Sequence, residues 1–388
     1  MMANDGKTLP LFRTALIHNE ESAVLWDSEI IKTPRLVDLF CGCGGLACGF
    51  REAGFKSVFA LDHDGPAAET YRRNFKHQVF DGDIADLQKI EVEADVVVGG
   101  PPCQGFSPLG KMTPSEAVAK HHVDLNMLWR HYLRIVDMVK PKVFVVENVP
   151  ELLRTGEFVL LTQEAERRGY QLVSGVLNAA DYGVPQLRRR AIIIASRVGE
   201  PHLPAPNGRR ATVRDAIGDL PLKPTGEDWH IGRNPTPKSV ERYKCIPPGG
   251  NRFDLVRERP DLAPECWIKK KTGSTDVFGR LEWDKPSLTI RTEFFKPEKG
   301  RYLHPQAHRP ITHREAMRLQ TFPPKFEFFG TKIQVARQVG NAVPPRLAEA
   351  VANAVLDVLR LIGTREVEKG TVATKERRGG ERTEPAAL

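Results

Sequence analysis

Strand-like and helix-like segments alternate over residues 35–196, and this alternation restricts the fold more than any other feature of the sequence. Apolar residues recur at helical spacing in 67–75 and in 128–139, between runs that have the length of strands. The predicted strands are Arg35–Phe40, Ser57–Asp62, Asp95–Gly100, Lys142–Glu147, Gln171–Leu177 and Arg190–Ala195. Alternating strands and helices of this kind predict a doubly wound α/β sheet.

The character of the sequence changes after this first domain, which we place at 34–200. Residues 201–308 are rich in Pro, Gly, Arg and Lys, carry scattered aromatic residues and have little periodicity, which predicts a second, smaller and irregular domain. Helical periodicity returns in 309–362, where we expect the chain to leave the small domain and add a closing helix to the first. Residues 1–33 are predicted to be an N-terminal extension and 363–388 a disordered tail.

Composition gives weaker indications of partner and location. The 388 residues carry a net charge of +8, which suits a polyanionic partner but also an ordinary solvated basic face. No apolar stretch has the length of a membrane span and the N-terminus does not resemble a signal peptide, so we expect a cytoplasmic protein with no membrane partner. The six cysteines form neither a disulfide framework nor a zinc pattern, and no metal site is predicted.

A glycine-dense turn, V-D-L-F-C-G-C-G-G-L, follows the first strand and predicts a cofactor site. Gly42 and Gly44 allow the backbone to approach a ligand closely. Asp62 ends the next strand about 20 residues later, where a carboxylate can accept both ribose hydroxyls. Phe40 is a candidate to stack on a ring, and Asp83 in G-D-I either binds an adenine amino group or caps a turn. These features indicate an adenosine cofactor without selecting NAD.

Three further segments carry reactive side chains. Cys103 follows a buried strand in D-V-V-V-G-G-P-P-C-Q-G-F-S-P, at the strand end where ligand chemistry gathers, although a structural cysteine is the alternative. Glu147 ends the strand K-V-F-V-V-E-N-V, where a desolvated carboxyl group can act as an acid near neutral pH; a surface glutamate is the alternative. In Q-L-R-R-R, Arg188 and Arg190 share one strand face, unless all three arginines are solvated.

Together these segments resemble the DNA (cytosine-5)-methyltransferase family over most of residues 35–362. The matching motifs, in the family's order, are D-L-F-C-G-C-G-G, G-D-I, G-G-P-P-C-Q-G-F-S, E-N-V, Q-L-R-R-R, R-P-I-T-H-R-E-A-M-R-L-Q-T-F-P and Q-V-G-N-A-V-P-P. The resemblance implies a Rossmann-like methyltransferase sheet and S-adenosyl-L-methionine as cofactor. It places around that cofactor Phe40, Gly42, Gly44, Asp62, Asp83 and Asn341.

The resemblance also implies a reaction. Cys103 would attack C6 of a cytosine flipped out of duplex DNA, Glu147 would donate to N3, and Arg190, with Arg188, would orient the ring through O2. The methyl group would then pass to C5 before Cys103 is released. The segment 104–126 is a candidate mobile loop, and it departs from much of the family in having Leu125 where an arginine is usual.

DNA contacts are expected from two parts of the chain. Near the catalytic motifs they are assigned to Gln104, Ser107 and Gln186. Recognition of the target DNA sequence is expected in 201–308. Basic residues of this region could contact phosphates, among them Arg252, Lys269, Lys270, Lys271 and Arg291.

Other functions remain open at this point. The same machinery could act on cytosine in tRNA, and a methyltransferase-like module could bind DNA without turnover, whereas a dehydrogenase has no use for a Pro-Pro-Cys turn. We expect a prokaryotic, stand-alone and monomeric enzyme near the nucleoid. It would act either alone or with a cognate restriction endonuclease.

Overall fold

A seven-stranded sheet forms the centre of the computed structural model, which describes residues 33–102, 128–208, 210–269 and 272–360. The strand order is β3-β2-β1-β4-β5-β8-β6. The strands are β1 (Arg35–Leu39), β2 (Lys56–Asp62), β3 (Gln78–Asp81), β4 (Val96–Gly99), β5 (Val143–Asn148), β6 (Gln171–Asn178) and β8 (Arg189–Ser196). Only β8 runs antiparallel to its neighbours in this sheet, so the predicted parallel-dominated α/β fold is confirmed.

Each predicted strand corresponds to an observed one, and β3 is the strand that the periodicity did not single out. It has four residues, none of them fully buried, because it lies at the edge of the sheet. Helices cover both faces of the sheet. They are α1 (Gly45–Glu52), α2 (Gly65–Asn74), α3 (Leu128–Val139) and α4 (Gly156–Arg167).

The side chains of β1 show how the two faces are filled. Leu36 contributes to one buried apolar cluster and Val37 to the other, because successive side chains of a strand point to opposite faces. Both residues are fully buried, as are their neighbours on β4. Packing on both faces therefore fixes the register of the central strands.

The region after residue 200 consists of short elements. They are α5 (Val213–Ile217), α6 (Pro237–Lys244), α7 (Arg252–Glu258), α8 (Glu265–Lys269), β9 (Gly279–Arg280), β10 (Ser287–Leu288) and β11 (Arg301–Leu303). Tyr243, Leu255 and Phe278 belong to a small apolar cluster of this region, whereas Ile290 and Phe294 join a cluster of the central sheet. Strand β10 pairs with β7 (Gln186–Leu187), which lies just before β8.

Three helices end the part of the chain that the structure describes. They are α9 (His313–Leu319), α10 (Lys332–Asn341) and α11, over residues 345–360. Helix α11 lies directly against α1, since a Cβ atom at Gly49 would be 2.4 Å from the Pro345 carbonyl oxygen. In the described part of the chain, no helix has both the length and the apolar character needed to cross a membrane.

Candidate active site

The carboxyl ends of β1, β4 and β5 meet at one edge of the sheet. Leu39 is paired with Gly99, and Gly99 with Val146, so the next residues, Phe40, Gly100 and Glu147, follow neighbouring positions of the sheet. They border a cavity of about 470 Å³. Its lining combines the ends of these strands with the start of α1 and the end of α10, and it includes Phe40, Gly42, Asp62, Gly100, Glu147, Arg188, Arg190 and Asn341.

The glycine-dense turn forms one end of this cavity. Phe40 and Gly42 both have φ = 53° and Gly44 has φ = 93°, so three left-handed residues bend the chain from β1 into α1. A Cβ atom at Gly42 would meet nothing within 4 Å, whereas one at Gly44 would be 2.6 Å from the Phe75 ring. Cys43, Gly45 and Leu46, at the start of α1, border an open space that a ligand can enter.

Asp62 is fixed beside this turn. It is 7% exposed, and its carboxylate accepts hydrogen bonds from the Gly42 N–H (2.7 Å) and the Asp64 N–H (2.8 Å). Burial raises the pKa of Asp62 above its ordinary value, while these two bonds act in the opposite direction. Asp64 in turn forms an ion pair with Arg337 of α10 at 2.9 Å. Sequence reasoning missed that pair, because nothing local connects residues so far apart in the chain.

The other two predicted cofactor residues differ in position. Asn341 ends α10 and lines the cavity. Asp83 is exposed, its Oδ1 accepts a hydrogen bond from the Ala85 N–H at 2.8 Å, and it does not line the cavity. Asp83 thus forms the turn that was its alternative interpretation, and its proposed contact with adenine stays a prediction.

Glu147 and Arg190 line another part of the cavity. Arg190 Nε lies 2.8 Å from Glu147 Oε1, and the two side chains are 17% and 12% exposed. Sequence reasoning selected both residues but did not predict that they form an ion pair. Gly100 is packed against the same carboxylate, since a Cβ atom there would be 3.0 Å from Glu147 Oε2. Glu147 is therefore held in place from two sides.

Asn148 is a residue of the site that sequence reasoning overlooked. Its Nδ2 donates to the Pro101 carbonyl oxygen at 2.9 Å, and its Oδ1 accepts from the Val149 N–H at 2.8 Å. It thereby fixes the Pro-Pro turn that leads to Cys103. Its position directly after Glu147 at a strand end was the available signal. Three predicted site residues lie outside the described residues: Cys103, Gln104 and Ser107.

The structure places Gln186 and Arg188 in the interior. Gln186 is fully buried, donates to Gln320 Oε1 at 2.7 Å and accepts from the Ile290 N–H at 2.9 Å. The predicted DNA contact of Gln186 does not fit this position. Arg188 is 1% exposed, and burial lowers its pKa well below the ordinary value for arginine. Its guanidinium binds main-chain carbonyl groups.

The predicted phosphate contacts of the 201–308 region also differ from one another. Arg252 is 4% exposed, donates to the Thr272 carbonyl oxygen at 3.0 Å and lies over the Phe253 ring, so it does not fit a surface contact. Lys269 and Arg291 are exposed. The described ranges leave out the other two lysines of this set, Lys270 and Lys271.

Comparison with known proteins decides the family. A model of the C-5 cytosine-specific DNA methylase family matches residues 34–357, which include the whole seven-stranded sheet and all but the end of α11. The chain belongs to this family. It is a DNA (cytosine-5)-methyltransferase, as the sequence motifs predicted.

Similar proteins are Type II methyltransferases of bacteria. M1.HphI of Haemophilus parahaemolyticus is 37% identical over 337 residues, covering 82% of this chain and 86% of that protein. M.XorII of Xanthomonas oryzae pv. oryzae is 36% identical, with 84% and 85% covered. Among solved structures, a protein described as a prophage-encoded DNA modification methyltransferase of E. coli has a TM-score of 0.64 and 25% identity, with 84% and 100% covered.

Proposed function

We propose that this enzyme transfers the methyl group of S-adenosyl-L-methionine to C5 of a cytosine flipped out of a specific duplex DNA sequence, through a covalent bond between Cys103 and C6. One observation carries the proposal. A single cavity joins the Asp62 carboxylate and the glycine-dense turn to the Glu147–Arg190 ion pair. A methyl donor and an acceptor base bound at its two ends would lie next to each other.

The cofactor end fits the expected donor. The left-handed turn at Gly42, the start of α1 and the fixed Asp62 carboxylate are the groups that would hold the adenosine and methionine parts. Phe40 and Asn341 border the same space, Gly44 bends the turn beside it, and Asp83 would reach the adenine from outside it. When bound there, the cofactor supplies the methyl group and its positive sulfonium centre.

The base end would activate the cytosine. The Cys103 thiolate adds to C6, which places electron density on C5, while Glu147 in its protonated form gives its proton to N3 and accepts from the exocyclic amine; it takes the N3 proton back when the bond between sulfur and C6 breaks. Arg190 orients the ring through O2 and keeps the Glu147 carboxyl group in position by the contact at 2.8 Å. After C5 has accepted the methyl group, a base removes the C5 proton and the bond between sulfur and C6 breaks. These steps require the cytosine to leave the duplex, because its ring face is stacked there.

The relatives favour DNA over tRNA as the substrate, since M1.HphI and M.XorII, at 37% and 36% identity, are named Type II methyltransferases. Their names also support a restriction-modification setting, and a cognate endonuclease is the partner we propose. Duplex DNA is the macromolecular substrate, and we propose that the enzyme acts on it as a monomer.

The reaction is tested with methyl-labelled cofactor and either duplex DNA or bulk tRNA. We expect label at C5 of cytosine in DNA, and label confined to tRNA would overturn the proposed substrate. Duplexes carrying 5-fluorocytosine at the methylated position should trap a covalent complex that survives denaturation, because fluorine cannot leave as the proton does.

Two cysteine variants separate the nucleophile from other thiols. Cys103→Ser should abolish both methyl transfer and the trapped complex while cofactor binding survives. Cys266→Ser, at an exposed free cysteine of α8, is the matched control and should behave like the wild type. A Cys103→Ser enzyme with near-normal turnover would exclude Cys103 as the nucleophile.

A further inference from the structure

The last turn of α10 is held by two buried side chains. Helix C-termini leave carbonyl groups without intrahelical partners, and such groups need other donors when they are buried. Arg188 Nη1 donates to the Gly340 carbonyl oxygen at 3.1 Å, and its Nη2 donates to that of Asn341 at 3.3 Å. Gln320 Nε2 donates to the carbonyl groups on either side, those of Val339 and Ala342.

The same guanidinium reaches the region predicted to read the DNA sequence. Arg188 Nη1 also donates to the Ile290 carbonyl oxygen at 3.1 Å, two residues after β10. The Ile290 N–H is bound by Gln186 Oε1 at 2.9 Å, so both main-chain groups of Ile290 are held by the Q-L-R motif. A Cβ atom at Gly340 would be 2.4 Å from the Thr292 nitrogen. Segment 290–292 therefore lies directly against the end of α10.

Arg188 is poorly placed to touch a base. Only 1% of its surface is exposed, and its Nε is buried with no acceptor among the residues that the structure describes. Arg190, two residues further, is 17% exposed and paired with Glu147. Arg190 can thus orient a ligand directly, whereas Arg188 acts through the main chain that it binds.

The junction requires a guanidinium at this position. The three carbonyl groups belong to two separate segments, and the planar fork of arginine offers donors in several directions at once. Two of these carbonyls end α10, where the negative end of the helix dipole favours a cation. A lysine would keep the charge but would bring one nitrogen to three acceptors.

We propose that Arg188 is a positioning residue that couples segment 287–292 to the cofactor end of the cavity. It does so by holding the carbonyl groups of Ile290, Gly340 and Asn341 in one arrangement. The proposal rests on the proposed function, since it takes the cavity as the cofactor site. Cofactor binding then stabilises the ordered form of segment 287–292, and ordering of that segment strengthens cofactor binding by the same free energy.

Amide hydrogen exchange of the full chain, with and without S-adenosylhomocysteine and in the absence of DNA, tests this coupling. In the wild type, the analogue should slow exchange in 287–292 by about fivefold or more, the lower end of ordinary couplings between sites. Arg188→Lys should bind the analogue and still lose this protection. Arg189→Lys is the matched control, because Arg189 is exposed beside it, and should retain the protection.

The outcomes separate the two proposals. A wild-type protein that does not bind the analogue contradicts the cofactor assignment. A wild type that binds it without protection of 287–292 contradicts the coupling alone, and this result does not depend on whether Arg188→Lys folds. Full protection in a folded Arg188→Lys protein would also overturn the role of Arg188.

Discussion

The carboxylate of Glu315 is the most completely buried charge whose partners the structure describes, and removing one partner should be costly. Glu315 is 0% exposed and receives two hydrogen bonds from the Arg309 guanidinium, at 2.9 and 2.7 Å. The Thr312 N–H donates to it at 2.7 Å, and the rings of His230 and His304 lie within 3.6 and 3.7 Å. Arg309→Met would keep most of the side-chain volume and remove the charge.

Two lines of reasoning give the size of the effect. Breaking a buried ion pair by removing one partner costs about 3–5 kcal/mol, because an unpaired charge is left behind. Burial alone would raise the pKa of Glu315, but the hydrogen bonds from Arg309, together with the nearby His230 ring, lower it to about 2. Against an ordinary value of 4.5, that shift corresponds to about 3 kcal/mol of folding free energy at neutral pH. We therefore expect Arg309→Met to lower the free energy of unfolding by about 3 kcal/mol.

Urea unfolding at pH 7 measures this loss. The midpoint should fall strongly for Arg309→Met and less for the double variant with Glu315→Gln, because the amide leaves no unpaired charge. Arg259→Met is the matched control, since Arg259 pairs with Asp261 on the surface and its loss should change little. Equal midpoints for Arg309→Met and Arg259→Met would refute the reasoning. So would a double variant that loses as much stability as Arg309→Met and Glu315→Gln lose when their separate effects are added.

Three further predictions concern separate parts of the molecule. Glu147→Gln should reduce the rate of methyl transfer by about 10²–10⁴-fold while DNA affinity stays within a few-fold in binding titrations, and equal losses would make Glu147 structural. Gly340→Ala places a Cβ atom 2.4 Å from the Thr292 nitrogen and should lower the thermal midpoint, whereas Gly156→Ala, with nothing within 4 Å, should not. Burial lowers the pKa of His304 from 6.5 to about 4, so the unfolded state binds protons first and stability should fall as pH decreases from 6.5 towards 4; a His304→Gln protein should show a flatter decrease in this window.

The positions of Glu147 and Asp62 at one side of the cavity-forming sheet could be predicted for a physical reason. Glu147 is the last residue but one of the buried strand β5, and Asp62 ends β2, so periodicity alone placed both near the carboxyl ends of parallel strands. The tight turn after β1 could be predicted from its glycines, because the positive φ angles that Gly42 and Gly44 adopt are ones that glycine favours. In each case the signal lies within a few residues of the position that it describes.

The buried polar residues could not be predicted in the same way. Arginine and glutamine are residue types that often contact DNA. Arg252 instead donates to a carbonyl group 20 residues away, and Gln186 donates to the Gln320 side chain 134 residues away. A single arginine or glutamine in a sequence carries no mark that separates a solvated side chain from one that holds main-chain groups. Only the tertiary fold supplies the partner, and with it the role.

The Q-L-R-R-R segment runs from β7 into β8 and contributes both to the Glu147–Arg190 pair and to the junction. Its alternate residues, Gln186, Arg188 and Arg190, reach, in turn, the Ile290 N–H, the Ile290 carbonyl and the Glu147 carboxylate. The first two contacts are made to main-chain atoms, which every residue type provides. Side chains of the 201–308 region can therefore differ while the same backbone contacts hold that region to the central sheet.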